Sequence, residues 1–243
     1  MGLDTIKQAI PPQASTQWQG PSEVQIEENG EPLVPAGSYP ERIIVRSAYY
    51  EQNYPHALSE VYLRRGLFEQ LVLAADTLPP SYRLVLFDGW RPVELQKLLF
   101  DEYVEEILCE QKNLDRAEAE KRASVFVAPP STDPAQPSPH ATGGSVDLSI
   151  VDQRGELLDM GGAFDEKSER SLTRYYEAEA ESKNSLARDN RRMLYHCLFR
   201  AGFSNYPEEW WHYDFGNQNW VYYRGFLDPQ CRVSKARYGI TQL

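Results

Sequence analysis

Residues 144–152, GSVDLSIVD, alternate apolar Val146, Leu148 and Ile150 with polar Asp147 and Ser149. That is the period of a strand with two unlike faces, and an aspartate interrupts one of them. Immediately upstream, VAPPSTDPAQPSP (127–139) carries five prolines. Proline fixes φ and donates no hydrogen bond, so this run is neither helix nor inner strand. It reads as an ordered extended loop or lid leading into His140. A chain with only four histidines thus places one close to an acid on a strand that must otherwise be buried.

The remaining elements set the fold class. Leu58, Val61, Tyr62, Leu67, Phe68, Leu71 and Val72 recur at helical spacing, predicting a helix over 57–78 that LPP ends. RLVLF (83–87) reads as a buried strand entering a turn at Asp88-Gly89 that Pro92 closes. Residues 93–123 read as helix broken near Asn113, and 172–201 as mostly helix with Gly202 as its stop. EEWWHYDF and WVYYRG read as two aromatic strands joined by the hairpin signal GNQN. The order lacks a regular βαβ rhythm, so the expected class is α+β, a central antiparallel sheet with helices packed on it. Residues 1–40, broken by Pro and Gly, are expected to form an irregular N-terminal arm ahead of a single domain over 41–243.

Composition excludes several roles. With 36 acidic against 25 basic residues the net charge is -11, which disfavours attraction to nucleic acid or an anionic membrane. No stretch approaches the ~20 apolar residues of a membrane span, and no secretory signal is visible at the start. Three widely spaced cysteines, Cys109, Cys197 and Cys231, suit reduced thiols. The expectation is a cytoplasmic enzyme or binding protein acting on a small molecule.

The chemistry-bearing residues fall near strand ends. If the strands carrying Asp147 and His212 are neighbours in one sheet, His140, Asp147 and His212 converge on one metal ion and leave a position for water. Glu209, three residues before His212, is a candidate proton carrier. Strand parity puts it on the wrong face unless the chain bends at Pro207-Glu208-Glu209, and Glu208 competes on position alone. Arg91, in the turn after a buried strand, is suited to an oxyanion or a substrate carboxylate, with Asp88 holding it. Asp165 ends the loop DMGGAFD and is free to meet a cation. His56 and His196 read as structural or solvent-facing. No His-Glu-x-x-His helix is present.

Taken together these stretches resemble the D-alanyl-D-alanine dipeptidases of the VanX type, a family of zinc metallopeptidases. The resemblance rests on Ser138, His140, Gly143 and Asp147 in the pattern Ser-x-His-x-x-Gly-x-x-x-Asp, EWWH (209–212), DGWRP (88–92) and MGGAFD (160–165). It runs in order from about residue 40 to 225. It implies one zinc per chain bound by His140, Asp147 and His212, with the site at the sheet, and Glu209 as general base and acid. It further implies that Arg91 stabilises the tetrahedral intermediate, Asp165 pairs with the substrate ammonium, and Ser138 contacts substrate. The implied reaction is hydrolysis of D-alanyl-D-alanine to free D-alanine by zinc-activated water. The alternative is a D,D- or L,D-carboxypeptidase trimming cell-wall stem peptides. A non-catalytic zinc-stabilised module would lack the general base, and Glu209 is present.

Overall fold

The computed structural model describes residues 8–13, 19–177, 184–228, 230 and 232–243. Parts of the expected arm, residues 178–183 of the expected helix over 172–201, and Cys231 lie outside the described residues. The described residues contain α1 (Gln19–Ser22), β1 (Gln25–Ile26), β2 (Leu33–Pro35), β3 (Ile43–Val45), α2 (Ala48–Glu51), β4 (Tyr62–Arg64) and α3 (Arg65–Thr77). There follow β5 (Arg83–Asp88), α4 (Val93–Glu110), α5 (Arg116–Ala123), β6 (Ser145–Val151), α6 (Ser185–Arg200), β7 (Ser204–Asn205), β8 (His212–Asp214), α7 (Gln218–Leu227) and β9 (Lys235–Ala236).

The central sheet runs β3-β5-β6-β8-β7. Its pairings are antiparallel except that β3 lies parallel to β5, so the expected antiparallel sheet carries one parallel edge strand. Leu84, Leu86, Val146, Leu148 and Ile150 face the main core, which includes Leu67, Leu71 and Ala74 of α3 and Leu194 and Leu198 of α6. Val85, Phe87 and Val151 face the other side, against Phe164. With both faces covered, all of β6 is buried, so its polar residues must find internal partners. A second cluster, built by α4 and α5 around Leu99, Val104 and Ala119 with Tyr49, stands beside that second face.

Three expected elements differ in the structure. The helix expected over 57–78 begins only at Arg65, because Tyr62–Arg64 pairs antiparallel with Leu33–Pro35, a partner that local periodicity cannot reveal. The second aromatic strand is the helix α7. Asn217 accepts a hydrogen bond from the Trp220 amide and caps it, so the apparent hairpin signal is a helix start. Within 172–201 the long helix is α6 alone, capped by the Asn184 side chain, and the described residues before it form short turns. The break near Asn113 falls between α4 and α5. Residues of the expected arm supply β1, which pairs with β9, and β2.

Candidate active site

Three adjacent strands carry the site as one row. Asp147 on β6 pairs with His212 on β8, and Asp88 on β5 pairs with Asp147. The last pairing depends on a register shift between Leu86 and Asp88. The extra residue, Phe87, turns Asp88 onto the same face as Asp147, the usual work of a bulge. His140 arrives from the short 3-10 turn Pro139–Thr142, which ends at Gly143 with φ 66. Glycine adopts that left-handed conformation without strain.

His140 Nε2 lies 3.2 Å from His212 Nδ1 and 3.3 Å from Asp147 Oδ2, and His212 Nδ1 lies 3.0 Å from Asp147 Oδ1. The three residues are buried, and one ligand atom of each lies within 4.8 Å of the others. The outer nitrogens are already engaged. His140 Nδ1 donates to the Gly89 carbonyl at 2.7 Å, and His212 Nε2 donates to Asp214 Oδ1 at 3.1 Å. With each ring neutral, as a metal would require, those bonds put its proton on the outside and turn the two inner nitrogens towards one carboxylate. Such a set suits a shared cation, and two nitrogens with one oxygen match an open zinc centre. Burial lowers His212's basicity, but Asp214 and Asp147 hold it well above the usual imidazole range. Burial likewise raises the Asp147 carboxyl, and the two histidines pull it far below the usual carboxylate range.

Glu209 reaches the same point because the chain bends. Its amide bonds the Tyr206 carbonyl, and the Asn205 side chain ties the Glu209 and His212 carbonyls together. The turn places Glu209 Oε2 3.8 Å from His212 Nδ1. Burial pushes the Glu209 carboxyl up to about 8; His212 and Arg91 oppose the rise, while Asp147 and Asp165 add to it. Glu208, the positional rival, is absent from the residues lining the cleft.

Arg91 is buried in the turn after β5. Its guanidinium bonds Asp88 Oδ2 at 2.7 Å through Nε and Gln96 Oε1 at 2.9 Å, lies 3.6 Å from Asp147 Oδ2, and covers the Tyr49 ring at 5.0 Å. Burial works against its charge, but Asp88, Tyr49 and Asp147 keep it above the ordinary arginine range. Asp165, at φ 59, ends a loop pinned by Arg191 to the Met160 carbonyl and by Phe164 packing on Phe87 and Trp211. Burial raises its carboxyl to about 6, with Lys167 and Arg91 opposing. His140, Asp147, His212, Glu209, Arg91 and Asp165 line one cleft. Ser138 does not line it. Ser138 is buried on an adjoining groove that shares Pro139 with the cleft, and its hydroxyl has no hydrogen-bond partner. His56 is exposed and His196 bonds the Gln8 carbonyl, both away from the cleft.

Four supporting residues went unread in the sequence. Asp214 stands two residues after His212, on the same strand face, and strand parity would have found it. Gln96 follows Arg91 in the first turns of α4, within reach only once the helix is placed. Tyr49 and Asn205 are remote in sequence and carried no local signal.

A buried imidazole pair with a shared carboxylate and a neighbouring glutamate, set on a mixed sheet, has the donor set of a metallohydrolase centre. The family model Peptidase M15, D-ala-D-ala dipeptidase, matches residues 54–232, and the chain belongs to that metallopeptidase family. It is 29% identical over 218 residues to the D-alanyl-D-alanine dipeptidase of Synechocystis sp. (strain ATCC 27184 / PCC 6803 / Kazusa), covering 82% of this chain and 87% of that one. It is 33% identical over 157 residues to the D-alanyl-D-alanine dipeptidase of Enterococcus faecium, covering 62% and 69%. The match to the Escherichia coli (strain K12) D-alanyl-D-alanine dipeptidase is 30% identical over 132 residues and spans about half of each chain, 54% of both. Among solved structures, VanYB in complex with D-Ala-D-Ala is similar at TM-score 0.43 and 19% identity, covering 71% of this chain and 85% of that one. No helix among the described residues is long and apolar enough to cross a membrane.

Proposed function

We propose that this chain is a zinc-dependent dipeptidase that hydrolyses D-alanyl-D-alanine to free D-alanine in the cytoplasm. The observation that carries the reading is the pair of imidazole lone pairs and the Asp147 carboxylate facing one point, with Glu209 beside it. His140, Asp147 and His212 would hold one zinc ion, which supplies Lewis acidity to a peptide carbonyl and acidifies water. Glu209 takes the proton of the attacking water and delivers it to the leaving amine. Burial raises this carboxyl and a bound cation would oppose the rise, a balance that suits a group that both takes and gives a proton. Arg91, fixed by Asp88 and Gln96, donates to the developing oxyanion without reorganising.

Asp165 supports preference for a free dipeptide. A buried carboxylate in the cleft is neutralised by a substrate ammonium, whereas an N-acylated peptide leaves it unpaired. Ser138 is assigned a substrate contact, which requires its buried, unpartnered hydroxyl to turn from the adjoining groove into the cleft.

Glu209→Gln tests the assignment. The variant should keep one zinc per chain and lose about 10²–10⁴-fold in turnover; near-normal turnover would remove Glu209 from the mechanism. A parallel comparison of D-alanyl-D-alanine with its N-acetyl form separates dipeptidase from carboxypeptidase. Preference for the acetylated peptide would establish the latter.

A further inference from the structure

The loop that presents His140 satisfies its carbonyls mainly through distant segments. The Ala141 carbonyl accepts from the Thr241 amide at 3.1 Å, and the Gly143 carbonyl from the Arg64 amide at 2.9 Å. The Thr142 carbonyl accepts from Arg64 Nε at 2.8 Å, and the His140 carbonyl from the Arg91 amide at 3.2 Å. Arg64, only 2% exposed, is itself gripped at its far end. Its guanidinium binds both Glu28 carboxylate oxygens at 2.9 and 3.0 Å and the Gly239 carbonyl at 3.1 Å. The same Glu28 accepts from the Gly239 amide, and β1 pairs with β9. Thr241 does more than hold one loop. Its carbonyl accepts from Trp90 Nε1 at 3.0 Å, so one residue joins the His140 turn to the turn bearing Gly89, the acceptor of His140 Nδ1, and Arg91.

We propose that residues 24–31 and 235–241, both outside the family match, form a clasp that acts through Arg64 and Thr241 to set His140 and Arg91 in register with His212. Arg64 and Thr241 are positioning residues. They act on the orientation of a ligand and touch no substrate. Partners bonded directly to a ligand's ring or carboxylate change metal affinity by about 10–100-fold when removed, and bonds one step further out are expected to act in the same direction by less. The inference rests on the reading of His140 as a zinc ligand.

The Thr241 bonds are both main-chain, which supplies a clean control. Thr241→Pro deletes the donated amide, whereas Thr241→Ala retains it. The measurements are zinc affinity against a chromophoric chelator, the visible absorption of the cobalt(II)-substituted protein, and kcat and KM for D-alanyl-D-alanine. Thr241→Pro should bind zinc at least several-fold more weakly, alter the cobalt spectrum and lose more in kcat than it gains in KM. Thr241→Ala should match the wild type in all of these. Trp90→Phe removes the indole donor together with part of the ring, leaves the main chain intact, and should move the same quantities in the same direction, so the proposal stands or falls on it if Thr241→Pro does not fold. Wild-type zinc affinity and cobalt spectrum in the folded Thr241→Pro or in Trp90→Phe would overturn the clasp, as would equal losses in Thr241→Ala. A wild-type protein that binds no zinc would instead overturn the reading of the site beneath it.

Discussion

At the scale of single residues, the site is governed by where protons sit. Glu209 and Asp165 both have carboxyls raised by burial, to about 8 and about 6, from ordinary values of 4.5 and 3.8. A raised acid contributes stability that is complete below its unfolded pKa and is lost as pH rises through the folded one. The metal-free protein should therefore lose stability between about pH 4 and 8. Metal-free Glu209→Gln, with no charge to bury, should lack the Glu209 share of that loss. Thermal midpoints of the two metal-free proteins should coincide near pH 4 and separate increasingly towards pH 8, with the variant higher; parallel curves would contradict this. Asp214 belongs to the same scale. It is fully buried, accepts from Ser145 and Asn217, and fixes the outer nitrogen of His212. Asp214→Asn should bind zinc about 10–100-fold more weakly, measured by chelator competition, while leaving the one-per-chain stoichiometry intact.

At the scale of elements, legibility followed locality. The strands with strong alternation or buried runs, β5 and β6, were readable because their pattern is set by the sheet faces they meet. So was the break between α4 and α5. The start of α3 and the identity of α7 were not. Tyr62–Arg64 is a strand only because Leu33–Pro35 lies beside it, and Trp220–Tyr223 is helical because Asn217 caps it and Val221 and Tyr223 are buried. The site row shows the same division. The candidate donors were legible as residue types and spacings, and strand parity with Pro207 pointed to the bend before Glu209, yet the bulge at Phe87 that turns Asp88 into the row is defined only by the pairing of strands. The turn DGWRP carries a further constraint. A Cβ on Gly89 would lie 2.7 Å from the Tyr62 carbonyl oxygen and 2.7 Å from a Val61 methyl. Gly89→Ala should cost about 1–3 kcal/mol of stability by overpacking, read by denaturant unfolding. It should also weaken zinc binding by displacing the carbonyl that orients His140.

At the scale of the whole molecule, the sheet acts as a frame. One face is sealed by α3 and α6, so the polar row on the other face is held by a packed core. The α4–α5 cluster and the Asp165 loop wall the cleft around that row. Excluding water in this way raises the Glu209 and Asp165 carboxyls and strengthens the charge interactions among Asp147, His212, Glu209 and Arg91. The net charge of -11 leaves a zwitterionic dipeptide neither strongly attracted nor repelled, so turnover should change little with moderate salt. Such an account stands on a single cation held by three side chains. Its most direct test is to strip the protein of metal and return zinc in measured steps while following hydrolysis of D-alanyl-D-alanine. The account predicts no activity at the start, recovery in proportion to zinc, and saturation at one ion per chain, with His140→Ala and His212→Ala failing to recover. Undiminished hydrolysis after exhaustive chelation, or full recovery in either histidine variant, would contradict it.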